Sequence, residues 1–88
     1  MTMKELARAL GPHGIRVNAI APGAVPGGGF QADPRLAACI PLGRLGEAED
    51  VAAMAAALLS DRFAGYVTGT TLVVDGGLSL HNWIAPPA

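Results

Sequence analysis

Residues 16–23 read RVNAIAPG, and this stretch decides the fold. A short run of apolar and β-branched residues is typical of a strand buried in a parallel sheet. The run stops at Pro22 and Gly23, a pair that marks a turn. In open α/β sheets, ligands bind just beyond the carboxyl ends of the strands. The stretch therefore predicts a strand over 15–21 and a ligand site directly after it.

Helical patterns precede and follow this strand. Apolar residues at three- and four-residue spacing predict a helix over 1–11 that ends at Gly11 and Pro12. Thr2 lies so near the terminus that we do not expect it to cap this helix. The stretch 47–60 has a second apolar stripe and begins with three carboxylates, which suit the positive end of a helix better than a metal or acid–base site.

The remaining segments complete the pattern. Residues 70–75, TTLVVD, predict a second strand because β-branched residues dominate it, and 61–69 is expected to be a loop. Residues 24–46 contain three consecutive glycines, three prolines and several apolar residues. A connection of this length is usually functional, so we predict a substrate loop, or lid, with a short helix that ends at Cys39. Residues 78–88 form a tail.

The order helix, strand, lid, helix, strand predicts an α/β fold in one partial domain over 1–88. Two parallel strands joined through a helix are expected to form a right-handed crossover. A two-stranded sheet has two unpaired edges, and these helices are too few to cover both of its faces. We therefore expect the unit to be self-associated or partly molten when it is alone.

Composition disfavours several kinds of partner. Six basic and seven acidic residues among 88 give a net charge of −1, which offers no basic surface for nucleic acid or a membrane. Only 15% of the residues are charged, so one face is expected to meet a partner. Cys39 is the single cysteine, which leaves no disulfide framework and no metal-ligand spacing. Without a long uncharged apolar segment, the chain is expected to be cytoplasmic.

Three segments in order, ALGPHGIRVNAIAPG, PLGRLGEAEDVA and YVTGTTLVVDGG, resemble the C-terminal part of the short-chain dehydrogenase/reductases. The resemblance covers residues 6–77. It implies that the two strands are the sixth and seventh of a doubly wound, Rossmann-like parallel sheet. It also implies hydride transfer between the nicotinamide of NAD or NADP and a small-molecule carbonyl or alcohol, and assembly as a homo-oligomer.

The residues that perform acid–base chemistry in that family are not in this sequence. The family uses a Tyr-x-x-x-Lys pair and a serine. The only tyrosine here, Tyr66, has Thr70 four residues on, and the only lysine is Lys4. The glycine-rich loop that holds the cofactor's pyrophosphate is missing as well. No catalytic residue is therefore predicted, and Tyr66 is expected to pack a turn.

The resemblance does assign the nicotinamide end of the site, to Pro22, Gly23, Ala24 and Val25. In the family, the Pro-Gly pair turns the backbone beneath the nicotinamide ring, and the residue that matches Val25 bonds the carboxamide through its main chain. The family usually has a threonine two residues later, where this chain has Gly27. By analogy the substrate pocket is lined by three lid residues, for which plain packing is an equal alternative: Phe30, Leu36 and Ile40.

Other polar residues near the strands have structural interpretations. Arg16 and Asn18 are expected to bond neighbouring loops, because polar residues in a buried strand need partners. Asp75 is expected to cap the turn at Gly76 and Gly77 rather than act as a base.

Two functions stay open at this point. The chain is either part of an NAD(P)-dependent oxidoreductase and inactive alone, or a non-enzymatic oligomerisation or binding module derived from that family. In both cases its partner is a second copy or the remainder of a dehydrogenase fold. A complete enzyme of minimal size is disfavoured, because no proton donor of the family's type is present.

Overall fold

The computed structural model describes residues 1–27, 31 and 33–81. Within them, three α-helices and two strands follow one another in the order α1, β1, α2, α3, β2. Their bounds are Met3–Leu10 for α1, Ala19–Pro22 for β1, Ala48–Leu59 for α2, Asp61–Ala64 for α3 and Thr71–Val74 for β2. Short 3-10 helices cover Gly11–His13, Pro34–Cys39 and Leu78–Leu80.

The two strands pair in parallel, which confirms the predicted arrangement. Ala19 lies opposite Thr71, and Pro22 lies opposite Val74. Pro22 has no N–H group, and the ladder continues one residue later, where the Gly23 N–H donates to the Val74 carbonyl at 3.0 Å. Both strands therefore end side by side, and the segments that follow them leave from the same edge of the sheet.

β1 is shorter than the strand predicted over 15–21, because a side chain takes part in the pairing before the ladder begins. The Val17 N–H donates to Thr68 Oγ1 at 3.0 Å. The Val17 carbonyl accepts from the Gly69 N–H at 2.8 Å. β2 likewise lies inside its predicted range. The apolar pattern thus marks the path of the chain beside its partner, and regular strand backbone occupies only the last part of it.

A third helix occupies part of the segment 61–69 that was expected to be a loop. Ser60 ends α2 with an extended backbone, and its hydroxyl accepts a hydrogen bond from the Phe63 N–H at 3.4 Å. Serine is a preferred N-cap residue, so it both stops α2 and starts α3. The prediction of a loop was therefore wrong over Asp61–Ala64.

Helix α1 is also capped, contrary to the expectation for Thr2. The Thr2 hydroxyl accepts from the Glu5 N–H at 3.1 Å, and the Thr2 backbone is extended, which is ordinary N-cap geometry. The helix predicted over 1–11 therefore begins at Met3. After Leu10 the chain tightens into the 3-10 helix that contains Pro12.

Few side chains in this fold are removed from solvent. The buried apolar residues are Ala7, Ala24, Ile40 and Ala64, and no large side chain of the described ranges is fully buried. Leu59 and Phe63, around the junction of α2 and α3, are instead 81% and 77% exposed. Buried apolar area stabilises a fold by about 25 cal/mol per Å². The chain therefore leaves open to water several apolar side chains whose burial would stabilise it.

The helices of the described ranges are short. The longest of them, α2, has 12 residues, whereas a bilayer span needs about 20. None of them is long and apolar enough to cross a membrane.

Candidate functional site

A cleft of about 350 Å³ opens where both strands end. Residues 23–25 after β1 and 74–76 at the end of β2 form one side of it, and the first half of α2 forms the other. Residues 42–46, called here the crossing segment, contribute Leu42, Arg44 and Gly46 to its lining. Small-molecule sites measure roughly 300–1,000 Å³. The carboxyl ends of parallel strands are also where open α/β sheets bind ligands, so this cleft is the candidate site.

Gly23 brings the two strand ends into contact. A Cβ atom at this position would lie 2.6 Å from the Asp75 Cβ and 2.8 Å from the Asp75 Cα. Real Cβ atoms essentially never approach other atoms within 3.0 Å, so only glycine fits here without a shift of the backbone. The absence of a side chain at Gly23 therefore lets the ends of the two strands approach each other on one side of the cleft.

Asp75 holds the turn that follows β2. Its carboxylate accepts from the Gly77 N–H at 2.8 Å and from the Ser79 N–H at 2.9 Å. These backbone hydrogen bonds, led by the one from Ser79, lower the pKa of the Asp75 carboxyl. Gly76 and Gly77 both have a left-handed backbone, with φ of 64° and 93°, which favours glycine. The prediction that Asp75 caps this turn is confirmed.

The crossing segment is bonded to both strand ends. The Leu42 N–H donates to the Gly76 carbonyl at 3.1 Å, and the Gly46 N–H donates to the Ala24 carbonyl at 2.9 Å. A Cβ atom on Gly46 would lie 2.8 Å from Val25 Cγ2, so a larger residue here would have to displace the Val25 side chain. The segment therefore runs from the turn after β2 to the segment after β1.

An ion pair joins the crossing segment to α2. The Arg44 guanidinium donates to both Asp50 carboxylate oxygens, at 2.9 and 3.1 Å, and the same carboxylate accepts from the Glu47 N–H at 2.8 Å. The hydrogen bonds from Arg44 are the main cause that lowers the pKa of Asp50 to about 2. Of the three predicted helix-start carboxylates, Asp50 therefore serves a cation as well as the helix, while Glu47 and Glu49 are exposed.

The charges of the cleft suit an uncharged group rather than a phosphate. Three carboxylates, Glu49, Asp50 and Asp75, line it beside one guanidinium, that of Arg44, which already pairs with Asp50. A diphosphate is held by positive charge, and no lining residue in the described ranges offers a free cation. The lining therefore favours an uncharged ligand group over a diphosphate. Nowhere in the described ranges do three His, Cys, Asp or Glu side chains converge as metal ligands.

Three of the four residues predicted to bind the nicotinamide line the cleft, namely Gly23, Ala24 and Val25. Pro22 is the exposed last residue of β1. Ala24 is buried and Val25 is half-buried. Their contact with a cofactor stays a prediction.

Of the three predicted lid residues, Leu36 and Ile40 do not line the cleft. Ile40 is only 4% exposed, and its Cγ2 lies 2.9 Å from where a Cβ on Gly76 would be, which places it in the core. Leu36 is half-buried on the 3-10 helix Pro34–Cys39, which confirms the predicted short helix, and it does not line the cleft. Phe30 lies outside the described residues. A substrate-binding role for the three stays a prediction.

Arg16 and Asn18 satisfy neighbouring loops, as predicted. The Arg16 guanidinium donates to the Leu58 carbonyl at 2.8 Å, to the Val67 carbonyl at 3.3 Å and to the Asp61 carboxylate at 3.1 Å. The Asn18 side chain donates to the Val67 carbonyl at 3.0 Å. Both residues therefore join the segment that precedes β1 to the segment between α2 and β2.

The interpretation of Tyr66 as a residue that packs a turn was wrong. Its side chain is fully exposed. The turn is held instead by the neighbouring Val67, whose N–H donates to the Ala64 carbonyl at 3.0 Å and whose carbonyl accepts from Arg16 and Asn18. These hydrogen bonds do not involve the tyrosine side chain.

Sequence reasoning missed Arg44 and Asp50 as residues of the cleft. The signal was the string PLGRLGEAED, in which an arginine precedes by six residues an aspartate at the start of a helix. The side chains meet only because the chain bends before Arg44, where Gly43 has a left-handed φ of 78° and its N–H donates to the Ile40 carbonyl.

Comparison with known proteins agrees with this architecture. Residues 1–79 match the sequence profile of a family described as enoyl-(acyl carrier protein) reductase. A 3β-hydroxysteroid dehydrogenase of Eggerthella lenta is 53% identical over an 88-residue alignment, which covers 92% of this chain and 33% of that protein.

Solved structures show the same relationship. A short-chain dehydrogenase from Bacillus anthracis is 46% identical with a TM-score of 0.80, and the match covers 92% of this chain and 33% of that one. An oxidoreductase from Haemophilus influenza with bound NAD is 30% identical with a TM-score of 0.76, over 91% of this chain and 33% of that one.

The chain spans about a third of the length of the curated relatives it matches. The profile match extends over most of the sequence, and it includes both strands and the segments that build the cleft. The chain therefore belongs to the short-chain dehydrogenase/reductase family.

Proposed function

We propose that this chain supplies the nicotinamide end of the active site in an NAD(P)-dependent short-chain oxidoreductase. The observation that carries the proposal is the cleft at the carboxyl ends of the two parallel strands, lined by Gly23, Ala24 and Val25. The whole enzyme would transfer hydride between the nicotinamide and a carbonyl or alcohol carbon of a small molecule. The Haemophilus influenza relative with bound NAD supports the choice of cofactor.

In this proposal, the backbone of residues 22–25 holds the nicotinamide, which supplies or accepts the hydride when it is bound. The contact between Gly23 and Asp75 fixes where the chain leaves β1. The Gly46 N–H then fixes the Ala24 carbonyl, so the main chain of Val25 is carried to the wall of the cleft. A carboxamide offers both donors and an acceptor, which main-chain groups match without any charge.

We further propose that the chain has no hydride-transfer activity of its own. Tyr66 lacks the lysine four residues on that the family pairs with its catalytic tyrosine. Lys4 donates to the carbonyl of Gly69, which precedes β2, at 3.4 Å. Tyr66 also precedes β2 in the sequence, so both residues lie toward the amino ends of the strands, opposite to the cleft. These positions support the proposal that another segment of the enzyme supplies the proton donor.

A chimera tests the proposal, with this chain in place of the matching third of the Eggerthella lenta 3β-hydroxysteroid dehydrogenase. We expect the chimera to bind NADH or NADPH well below about 1 mM, by fluorescence titration, and this chain alone to bind no better than about 1 mM. The first two thirds of the Eggerthella enzyme alone provide the control, and we expect them not to reach the affinity of the chimera.

Two outcomes would count against the proposal. A chimera that folds by circular dichroism but binds no dinucleotide would remove the nicotinamide-end role. Oxidation of NADH by this chain alone with a carbonyl substrate, lost in Tyr66→Phe, would remove the claim of inactivity.

A non-enzymatic association module is the second candidate, favoured by the exposed apolar side chains Leu59 and Phe63. Charge self-repulsion is weak at a net charge of −1. We expect the purified chain to elute in size-exclusion chromatography with light scattering as a species larger than an 88-residue monomer. A Leu59→Lys/Phe63→Lys variant should shift it toward the monomer, and Arg62→Lys on the same surface should not. A wild-type monomer that unfolds cooperatively would contradict this expectation.

A further inference from the structure

One carboxylate, that of Asp50, accepts hydrogen bonds from residues on both sides of Gly46. Arg44 and the Glu47 N–H both donate to Asp50, so the dipeptide between them, Leu45 and Gly46, is held at its two ends. Asp50 itself lies in the first turn of α2, a regular helix of 12 residues. The rigid element in this arrangement is therefore the helix, and the ion pair transmits its position to the crossing segment.

Gly46 connects the crossing segment to Ala24 and Val25, which are predicted to contact the nicotinamide. Its N–H donates to the Ala24 carbonyl, and its Cα packs so closely on Val25 that a Cβ would lie 2.8 Å from Val25 Cγ2. Gly46 has no side chain that could relieve this contact by a change of rotamer. A displacement of Gly46 would therefore act on the Ala24–Val25 peptide through the hydrogen bond to the Ala24 carbonyl, and on the side chain of Val25.

We propose that Arg44 and Asp50 are positioning residues that hold the backbone of Ala24 and Val25 in place through Gly46. The purpose of that backbone, contact with nicotinamide, rests on the proposed function. The positioning itself is a property of this chain.

The alternative is that Arg44 and Asp50 form an ordinary surface ion pair that does not position the backbone. Arg44 is 57% exposed and Asp50 is 34% exposed, and exposed pairs of this kind contribute little to global stability. Two features separate this pair from an ordinary one: the guanidinium binds both carboxylate oxygens, and the carboxylate also accepts from the Glu47 N–H. The two interpretations predict effects at different backbone positions when the ion pair is removed.

Hydrogen exchange of single amides in the 15N-labelled full chain distinguishes them. In Arg44→Ala the Gly46 amide is expected to exchange about fivefold faster, because its bond to Ala24 opens more often. The Gly69 amide, which donates to the Val17 carbonyl before the strands begin, serves as the internal reference and should keep its rate. Arg44→Lys should lie between wild type and Arg44→Ala, because an ammonium does not bind both oxygens at once.

Arg35→Ala is the matched control, because Arg35 also binds both oxygens of an aspartate, Asp33, but does not line the cleft. We expect no change at Gly46 in this variant. Asp50→Asn keeps an oxygen for the Glu47 N–H and loses the ion pair, so it should act as Arg44→Ala does. In the double variant Arg44→Ala/Asp50→Asn, the Gly46 amide should exchange no faster than in either single variant, since both substitutions remove the same interaction.

Equal acceleration at Gly46 and Gly69 in Arg44→Ala would show that the pair merely stabilises the whole fold, and this would overturn the proposal. An unchanged rate at Gly46, or additive effects in the double variant, would overturn it as well. No dinucleotide is present in the experiment, so failure of the chimera to bind cofactor would count against the proposed function alone.

Discussion

Replacement of Gly23 by alanine is expected to lower the melting temperature of the chain by about 5 to 20 °C. The new Cβ would lie 2.6 Å from the Asp75 Cβ and 2.8 Å from its Cα, so backbone has to move. Forced overpacking costs about 1–3 kcal/mol, and each kcal/mol shifts the melting temperature of a domain this small by about 4–8 °C. Relief of the contact separates the ends of β1 and β2. Thermal unfolding followed by far-ultraviolet circular dichroism measures the effect.

Gly11→Ala is the matched control for Gly23→Ala. Gly11 has a right-handed helical backbone, with φ of −53°, and no heavy atom lies within 4 Å of the position where a Cβ would be. Alanine there restricts the unfolded chain, but its Cβ also approaches the ring of the following Pro12, so we expect a smaller decrease in the melting temperature than in Gly23→Ala. Equal melting temperatures for the two variants would show that the contact between Gly23 and Asp75 is not tight in solution.

Replacement of Arg16 by alanine is expected to reduce the free energy of unfolding by about 2 kcal/mol. The guanidinium is 18% exposed and bonds three separate places: the Leu58 carbonyl in α2, the Asp61 carboxylate in α3 and the Val67 carbonyl before β2. Its removal leaves the Leu58 carbonyl without this donor and removes the ion pair between α3 and the segment that precedes β1. Urea unfolding, followed by circular dichroism, gives the difference between the variant and the wild type.

Two further variants show whether geometry or charge is responsible at Arg16. Arg16→Lys keeps the charge, but a single ammonium cannot reach all three acceptors, so most of the loss should remain. Arg8→Ala removes an exposed arginine of α1 and should change the free energy of unfolding by less than about 0.5 kcal/mol. A full recovery in Arg16→Lys would mean that net charge, not the bridging hydrogen bonds, is what matters.

The parallel pair of strands was predictable because its signals are local. RVNAIAPG and TTLVVDGG each combine β-branched residues with a stop at glycine within one short window. Helix α3 was missed because Ser60 is both the end of one helix and the cap of the next, and the composition of the window does not distinguish these roles. The exposure of Tyr66 was missed because burial depends on which distant segments cover a residue, and no local pattern encodes that.

The residues of the candidate site also differ in whether a local sequence pattern predicts them. Residues 22–25 are contiguous and follow a recognisable strand, so their placement at its carboxyl end was accessible from sequence. The roles of Arg44, Gly46 and Asp50 depend on a left-handed bend at Gly43 and on hydrogen bonds that reach back to Ala24. The burial of Ile40 likewise depends on residues distant in sequence, such as Gly76.

The pairing of β1 with β2 also governs how the chain behaves while it is being made. The partners are far apart in sequence, as the bond between the Thr70 N–H and the Asn18 side chain, 52 positions away, illustrates. At synthesis rates of 5 to 20 residues per second, β1 exists for roughly 3 to 10 s before its partner has been translated. During that time its unpaired edge is available to other strands. Slower translation between residues 23 and 70 lengthens this interval, so the rate of elongation there helps to decide whether β1 pairs within its own chain or aggregates.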